Sequence, residues 1–326
     1  MSEAPNENIE DEIEDKLEKL PVVKYLVRLL KKIRLPALEG LTLYAFLRFY
    51  AKGIVKGAVT SRASAIAFSF FTAIFPFLLL VIILIPYIPV EGFDLKFKDF
   101  LNSLLPPQTS DFFFNNIFQN IYSDKSARLI STVFALALLL MANGISALFS
   151  GFQSSYYQQL TRSIVKQYLY SVGVALILVF LLIVTIAVLG YFQLYVIQRV
   201  LYIMDRQGYE THEQGIFMFE LARYVFVVIM VYMATATLYY FGTKEGRYSK
   251  FFSVGAIFTT ILIMLFSYLF GIYVTYFSTY NELYGSIGAL LILLFYIWLN
   301  SNILLLGFEL NATIRQLKRQ NKKSDK

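Results

Sequence analysis

Residues 61–89 read SRASAIAFSFFTAIFPFLLLVIILIPYIP. After Arg62 the stretch carries no charge and exceeds the roughly 20 apolar residues that an α-helix needs to cross a bilayer. It is therefore a membrane span, and it has two unusual features. Small residues recur one turn apart at Ser61, Ala65, Ser69 and Ala73, the spacing through which helices in lipid approach closely. Pro76 lies near the middle. It cannot donate to the carbonyl of Thr72, so that group needs another partner, with Ser69 and Thr72 as the nearby hydroxyls. A kink or local unwinding is predicted there.

Working outward, five further runs repeat the pattern. The six predicted spans are 64–86, 130–150, 169–197, 216–241, 252–278 and 284–308, so the fold class is all-α, a polytopic membrane domain over about 61–310. The composition agrees. Of 326 residues, 57% are hydrophobic and only 16% charged, with a mean hydropathy of +0.59; soluble domains run closer to 45–50% apolar.

The flanks differ sharply from this domain. The first 18 residues hold eight acids and no apolar core of a signal peptide, so residues 1–20 are read as an acidic disordered tail. In 22–35, VVKYLVRLLKKIRL, an apolar face (Val22, Leu26, Leu29, Leu30, Ile33) alternates with Lys24, Arg28, Lys31, Lys32 and Arg34. Such a basic amphipathic helix either lies in an anionic leaflet or covers the protein's own cytosolic face. The segment 21–60 as a whole is read as cytosolic or interfacial helix. The loop 87–129 contains FKDFLNSLLPP and SDFFFNNIFQNIYSD, two amphipathic helices predicted to rest on the outer surface.

Orientation follows the basic residues. With the N-terminus inside, 22 of the 29 Lys and Arg fall in inside segments, which puts both termini in the cytoplasm. The net charge of +7 is thereby explained without nucleic acid. The basic tail 311–326 is read as a topology and headgroup determinant. The expected partners are membrane lipids, with anionic headgroups at the N-terminal helices and the C-terminal tail; a homo-oligomer stays open.

Polar residues inside spans are costly and become the candidate functional residues. Ser69, Thr72 and Pro76 form a candidate hinge or path in the first span. Asn143 lies in the second, and Asn300, Asn302 and Glu309 lie in or at the end of the sixth. Each is either a helix–helix contact or part of a substrate path. Glu220 and Arg223, one turn apart, are a candidate ion pair, and Arg62 is a candidate partner for Glu309 along with Arg162 and Arg315. No catalytic group, metal site or cofactor is implied. Cysteine is absent and His212 is the single histidine. No Walker loop, zinc motif or nucleophile elbow occurs, and Asp205, Glu210, His212 and Glu213 read as a solvated turn.

Three blocks, SAIAFSFFTAIFPFLLL, ANGISALFSGFQSSYY, and the long run from LYYFGTKEGRYSKFF to LLLGFELNA, resemble the YihY/BrkB family of bacterial inner-membrane proteins over about 45–315. The chain differs at Phe68 and Ser69, where many members carry a Tyr pair. The resemblance implies six transmembrane helices in a bacterial cytoplasmic membrane. The family was once labelled ribonuclease BN, and one branch has been associated with lipid export. Transport or translocation of a lipid or amphiphilic anion is the leading functional expectation. A structural or assembly factor of the cell envelope comes second, and a ribonuclease has least support.

Overall fold

The structure is a computed structural model that describes residues 27–28, 30–32, 42–84, 127–157, 162–191, 212–248, 250–276 and 286–324. The predicted acidic tail, most of the amphipathic helix at 22–35, the loop helices of 87–126, and Asp205 and Glu210 lie outside these residues. The longer helices are α1 (Leu43–Lys56), α2 (Val59–Leu84), α3 (Ala127–Gln153), α4 (Ile164–Tyr191), α5 (His212–Gly242), α6 (Val254–Tyr276) and α7 (Ser286–Ser324). A 3-10 turn at Glu245–Tyr248 joins α5 to α6. Among the described residues five helices are long and apolar enough to cross a membrane, or six if Leu43–Lys56 and Val59–Phe75 together make one span. The protein is all-α and polytopic. That outcome follows from the medium: hydrocarbon offers backbone groups no partner, so a long apolar run must satisfy its own peptide bonds as a helix.

Two compact units share the chain. The first comprises Met1–Ala58, Ser155–Tyr157 and Glu309–Lys326; the second comprises Val59–Ser154 and Gln158–Phe308.

In the second unit α2 lies along α3, α3 along α4, α4 along α5, and α5 along α6. The buried face of α2 is Ala63, Ile66 and Ala67. It meets α3 at Gly151, where a Cβ would stand 2.7 Å from Ile66 Cδ1. Ser61 and Ala65, half of the small stripe seen in the sequence, are exposed instead. The Phe152 and Phe308 rings stack at 4.3 Å and 7°. A polar clasp ties α3 to α4. Gln167 Nε2 donates to Ser146 O (2.9 Å) and Ser150 Oγ (2.7 Å). Gln153 Nε2 donates to Gln167 Oε1 (2.6 Å), and Gln153 Oε1 accepts from the Arg162 backbone N–H (3.0 Å).

Two buried or half-buried arginines serve helix ends, where the last carbonyls lack partners and carry partial negative charge. Arg62 Nη1 donates to Gly151 O at 2.7 Å, in the last turn of α3. Arg162 donates through Nη1 to Phe241 O and through Nη2 to Thr243 O (2.7 Å) at the end of α5, with its guanidinium 4.1 Å from the Tyr170 ring centre.

In the first unit, α1 starts at Thr42, whose Oγ1 accepts from the Ala45 N–H (3.2 Å) as an N-cap does. It closes at Gly57, followed by Ala58 at φ 46°, a left-handed conformation that costs a non-glycine residue roughly 1 kcal/mol. Tyr157 lies on α1. Its hydroxyl donates to Phe49 O (2.7 Å), and its ring occupies the space a side chain at Gly53 would need, 2.8 Å from the Cβ position.

Of the kink or local unwinding expected at Pro76, the unwinding is overturned: α2 remains helical to Leu84. The helix of the sixth span, read as 284–308, runs on through the basic segment to Ser324.

Candidate functional site

Within the second unit a partly open cavity of about 380 Å³ lies among α2, α3, α4 and α7. Its wall is Phe70, Ala73 and Ile74 from α2, Met141 and Ile145 from α3, Leu178, Val179 and Leu182 from α4, and Tyr296, Ile297 and Asn300 from α7. The α2 and α4 residues are central in helices of 26 and 28 residues. A helix rises about 1.5 Å per residue, so the cavity lies deep within the spans.

Among the described wall residues only Tyr296 and Asn300 are polar, and both are partly engaged. The Tyr296 hydroxyl pairs with Ser267 Oγ at 2.7 Å. Asn300 Nδ2 donates to Tyr296 O at 2.8 Å. Because a carbonyl can only accept, this bond fixes the orientation of the carboxamide. The Asn300 Oδ1 is then a wall acceptor that no bond to another described residue occupies.

The other predicted residues fall elsewhere. Ser69 Oγ donates to Ala65 O (3.0 Å) and Thr72 Oγ1 to Ser69 O (2.9 Å), so neither hydroxyl points to the Thr72 carbonyl. Neither residue lines the cavity. Asn302 Nδ2 donates to Trp298 O (2.8 Å). Asn143 is exposed on α3. Glu220 and Arg223 are both exposed, and the Arg223 guanidinium sits over the Tyr224 ring at 5.9 Å, with no ion pair to Glu220.

A separate polar cluster lies in the first unit. Glu309 is fully buried and accepts a hydrogen bond from Ser155 Oγ at 2.8 Å. Its Oε2 is 3.4 Å from the Cβ position of Gly53. The Tyr157 phenol, outside the spans, is pushed up to about 12 by burial and then by the charges of Tyr156 and Glu309. Ser155, Tyr157 and Gly53 were not among the residues singled out by sequence. Gly53 and Ser155 lie outside the apolar spans, where intramembrane polarity gives no signal.

Sequence reasoning also missed the junction at Gly307. A Cβ there would overlap Thr259 Oγ1 outright and stand 2.6 Å from the Tyr239 hydroxyl and 2.9 Å from Gly255 O. Tyr239 pairs with Thr259 Oγ1 (2.5 Å) and donates to Leu304 O (2.8 Å). Among the described residues no group of three or more His, Cys, Asp or Glu is placed to hold a metal ion.

Comparison with known proteins gives the chain its place. It is 24% identical over 259 residues to a protein named ribonuclease-like protein YfkH from Bacillus subtilis (strain 168), covering 79% of this chain and 91% of that one. Two shorter matches are to UPF0761 membrane proteins. One, from Psychrobacter sp. (strain PRwf-1), is 34% identical over 77 residues, 24% of this chain and 14% of that protein. The other, from Idiomarina loihiensis, is 36% identical over 81 residues, 24% of this chain and 28% of that protein. No solved structure matches. The family model described as virulence factor BrkB matches residues 51–326, nearly all of the helical architecture above, and the chain belongs to that family, the BrkB/YihY membrane proteins.

Proposed function

We propose that this membrane protein is a non-enzymatic facilitator that moves a lipid or amphiphilic anion across a bacterial cytoplasmic membrane, with both termini on the cytoplasmic side. The apolar cavity carries the reading. Cavities of about 300–1,000 Å³ with a few placed polar groups are the usual form of a small-molecule site, and this one lies among spanning helices. Pro76 belongs to the proposal as a hinge: it lies two residues beyond Ile74 of the cavity wall and leaves the Thr72 carbonyl without its helical donor. The basic residues of the N-terminal helices and C-terminal tail hold anionic headgroups; nucleic acid is not a ligand. The chemistry of the chain gives no support to nucleolysis, although one relative bears a ribonuclease-like name.

The test is reconstitution. Purified protein in vesicles of phosphatidylethanolamine and phosphatidylglycerol is expected to move fluorescent lipid or an anionic amphiphile between leaflets faster than empty vesicles. Pro76→Ala is expected to slow that movement. No movement above empty vesicles across a broad lipid panel sinks the reading.

A second reading, an assembly factor of the envelope, draws on Asn143. A carboxamide exposed on a spanning helix is costly in hydrocarbon and is relieved by a neighbouring protein helix. It predicts a co-purifying membrane partner, or a second copy, that Asn143→Leu releases.

A further inference from the structure

We infer that the cavity among α2, α3, α4 and α7 takes one alkyl chain bearing a hydrogen-bond donor along its length, such as a hydroxylated acyl chain. The inference rests on the transport reading for its biological use, but the site is argued from its walls.

The volume sets the size of the occupant. An engineered apolar cavity of about 150 Å³ accepts one benzene ring. By that measure about 380 Å³ takes a flexible chain of about a dozen to fifteen carbons. The walls disfavour water as the filling, because a stable buried water needs two to four polar partners and nine of the eleven described wall residues are apolar. The surroundings supply the occupant instead. The cavity is partly open and lies deep within spanning helices, where the neighbouring medium is lipid hydrocarbon.

Plain hydrocarbon fits the nine apolar walls and leaves one group unserved. Asn300 directs one Nδ2 hydrogen to Tyr296 O within α7, and the Tyr296 hydroxyl shares a hydrogen bond with Ser267. The Asn300 Oδ1 stays as an acceptor at the wall. An acceptor held in an apolar site without a donor is costly, so a chain that brings a hydroxyl to that depth gains a hydrogen bond its plain twin cannot make. Asn302 makes the same bond to its own helix, Nδ2 to Trp298 O, but does not line the cavity. It is therefore an internal control.

The experiment uses the purified full chain in phosphatidylglycerol vesicles doped with photoactivatable probes. The probes are a long-chain fatty acid with a mid-chain hydroxyl, the same acid without it, and phospholipids carrying each of these chains. Crosslinked residues are located by mass spectrometry. Labelling is expected at wall residues such as Phe70, Met141 and Leu178. The hydroxylated chain is expected to outcompete its plain twin by about fivefold, the worth of one neutral hydrogen bond. Asn300→Leu is expected to erase that preference and Asn302→Leu to keep it. Leu178→Trp, which takes up part of the cavity, is expected to reduce labelling of the wall by every probe while helix content and unfolding temperature stay near wild type. Whichever carrier, free acid or phospholipid, labels more strongly identifies the source of the chain.

Labelling spread over exposed apolar residues such as Leu136 and Phe180, unmoved by Leu178→Trp, overturns the site. Equal labelling by the two chains, or a preference that survives Asn300→Leu, overturns the role of Asn300. Specific wall labelling without lipid movement in vesicles keeps this inference and defeats the transport reading; movement without wall labelling does the reverse.

Discussion

Single side chains determine how tightly the helices of this protein close. Gly307 is the sharpest case, since its missing side chain is what lets Tyr239 and Thr259 meet. Gly307→Ala is expected to destabilise by about 1–3 kcal/mol through overpacking, seen as a lower unfolding temperature in detergent. Adding Thr259→Ala removes the worst overlap and is expected to recover part of the loss, a coupling that independent sites would not show. Tyr157 makes a pH prediction. Its phenol titrates at about 12 in the folded protein, against 10.0 for an unperturbed tyrosine. A folded pKa raised above the unfolded one means that folding favours the neutral phenol. That contribution is whole below pH 10 and disappears as pH rises through about 12. Wild type should therefore lose stability more steeply than Tyr157→Phe across that window. At neutral pH the variant should be weaker by about 1 kcal/mol for the lost bond to Phe49 O. Denaturant titrations of both proteins at stepped pH check the two statements together.

Among the elements, α5 depends on a residue outside it. Arg162 caps its end by donating to two carbonyls, Phe241 O and Thr243 O, from one guanidinium. Lysine keeps the charge but not the fork, so Arg162→Lys is expected to cost about 1–3 kcal/mol, measured as a shift in unfolding midpoint. The helices themselves were legible in sequence, because about 20 uncharged residues in a row have few other fates. Their faces were not. A soluble helix announces its buried side by apolarity, whereas in lipid both sides are apolar. Thus the small stripe Ser61, Ala65, Ser69 and Ala73 looked like the contact face; Ala73 does meet Gly144 of α3, but Ser61 and Ala65 are exposed and the structure buries Ala63, Ile66 and Ala67 instead. Glu309 was visible as a charge in or at the end of the sixth span; its full burial against Ser155 and the continuation of the helix past it were not. Of the candidate site, Asn300 was visible as a polar residue too deep for a loop. Ser69, Thr72 and Asn302 were visible by the same rule, yet they bond their own helices, as short polar side chains commonly do. The apolar walls carry no signal of their own, because a cavity is a property of several helices at once.

For the whole molecule, the proposed arrangement in the membrane is directly testable. The chain has no cysteine, so single cysteines can be introduced against a blank background. With both termini inside, cysteines at Ser2 and Ser324 are expected to resist a membrane-impermeant maleimide in intact cells and to react after the membrane is opened. Cysteines in the segments read from the sequence as outside, 87–129 and 198–215, should react without opening. Reaction of the terminal positions in intact cells would reverse the assignment.

The Tyr239–Thr259–Leu304 junction has a consequence for how the protein is made. Tyr239 and Thr259 can pair with each other once α5 and α6 are made, whereas the Leu304 carbonyl that completes the junction follows only with α7. The closing of that contact around Gly307 is thus a late step in biogenesis. A chain cut short before α7 would keep the Tyr239–Thr259 pair but lack the Leu304 carbonyl and the Gly307 surface that close over it, a mark by which quality-control proteases can tell an unfinished copy from a finished one.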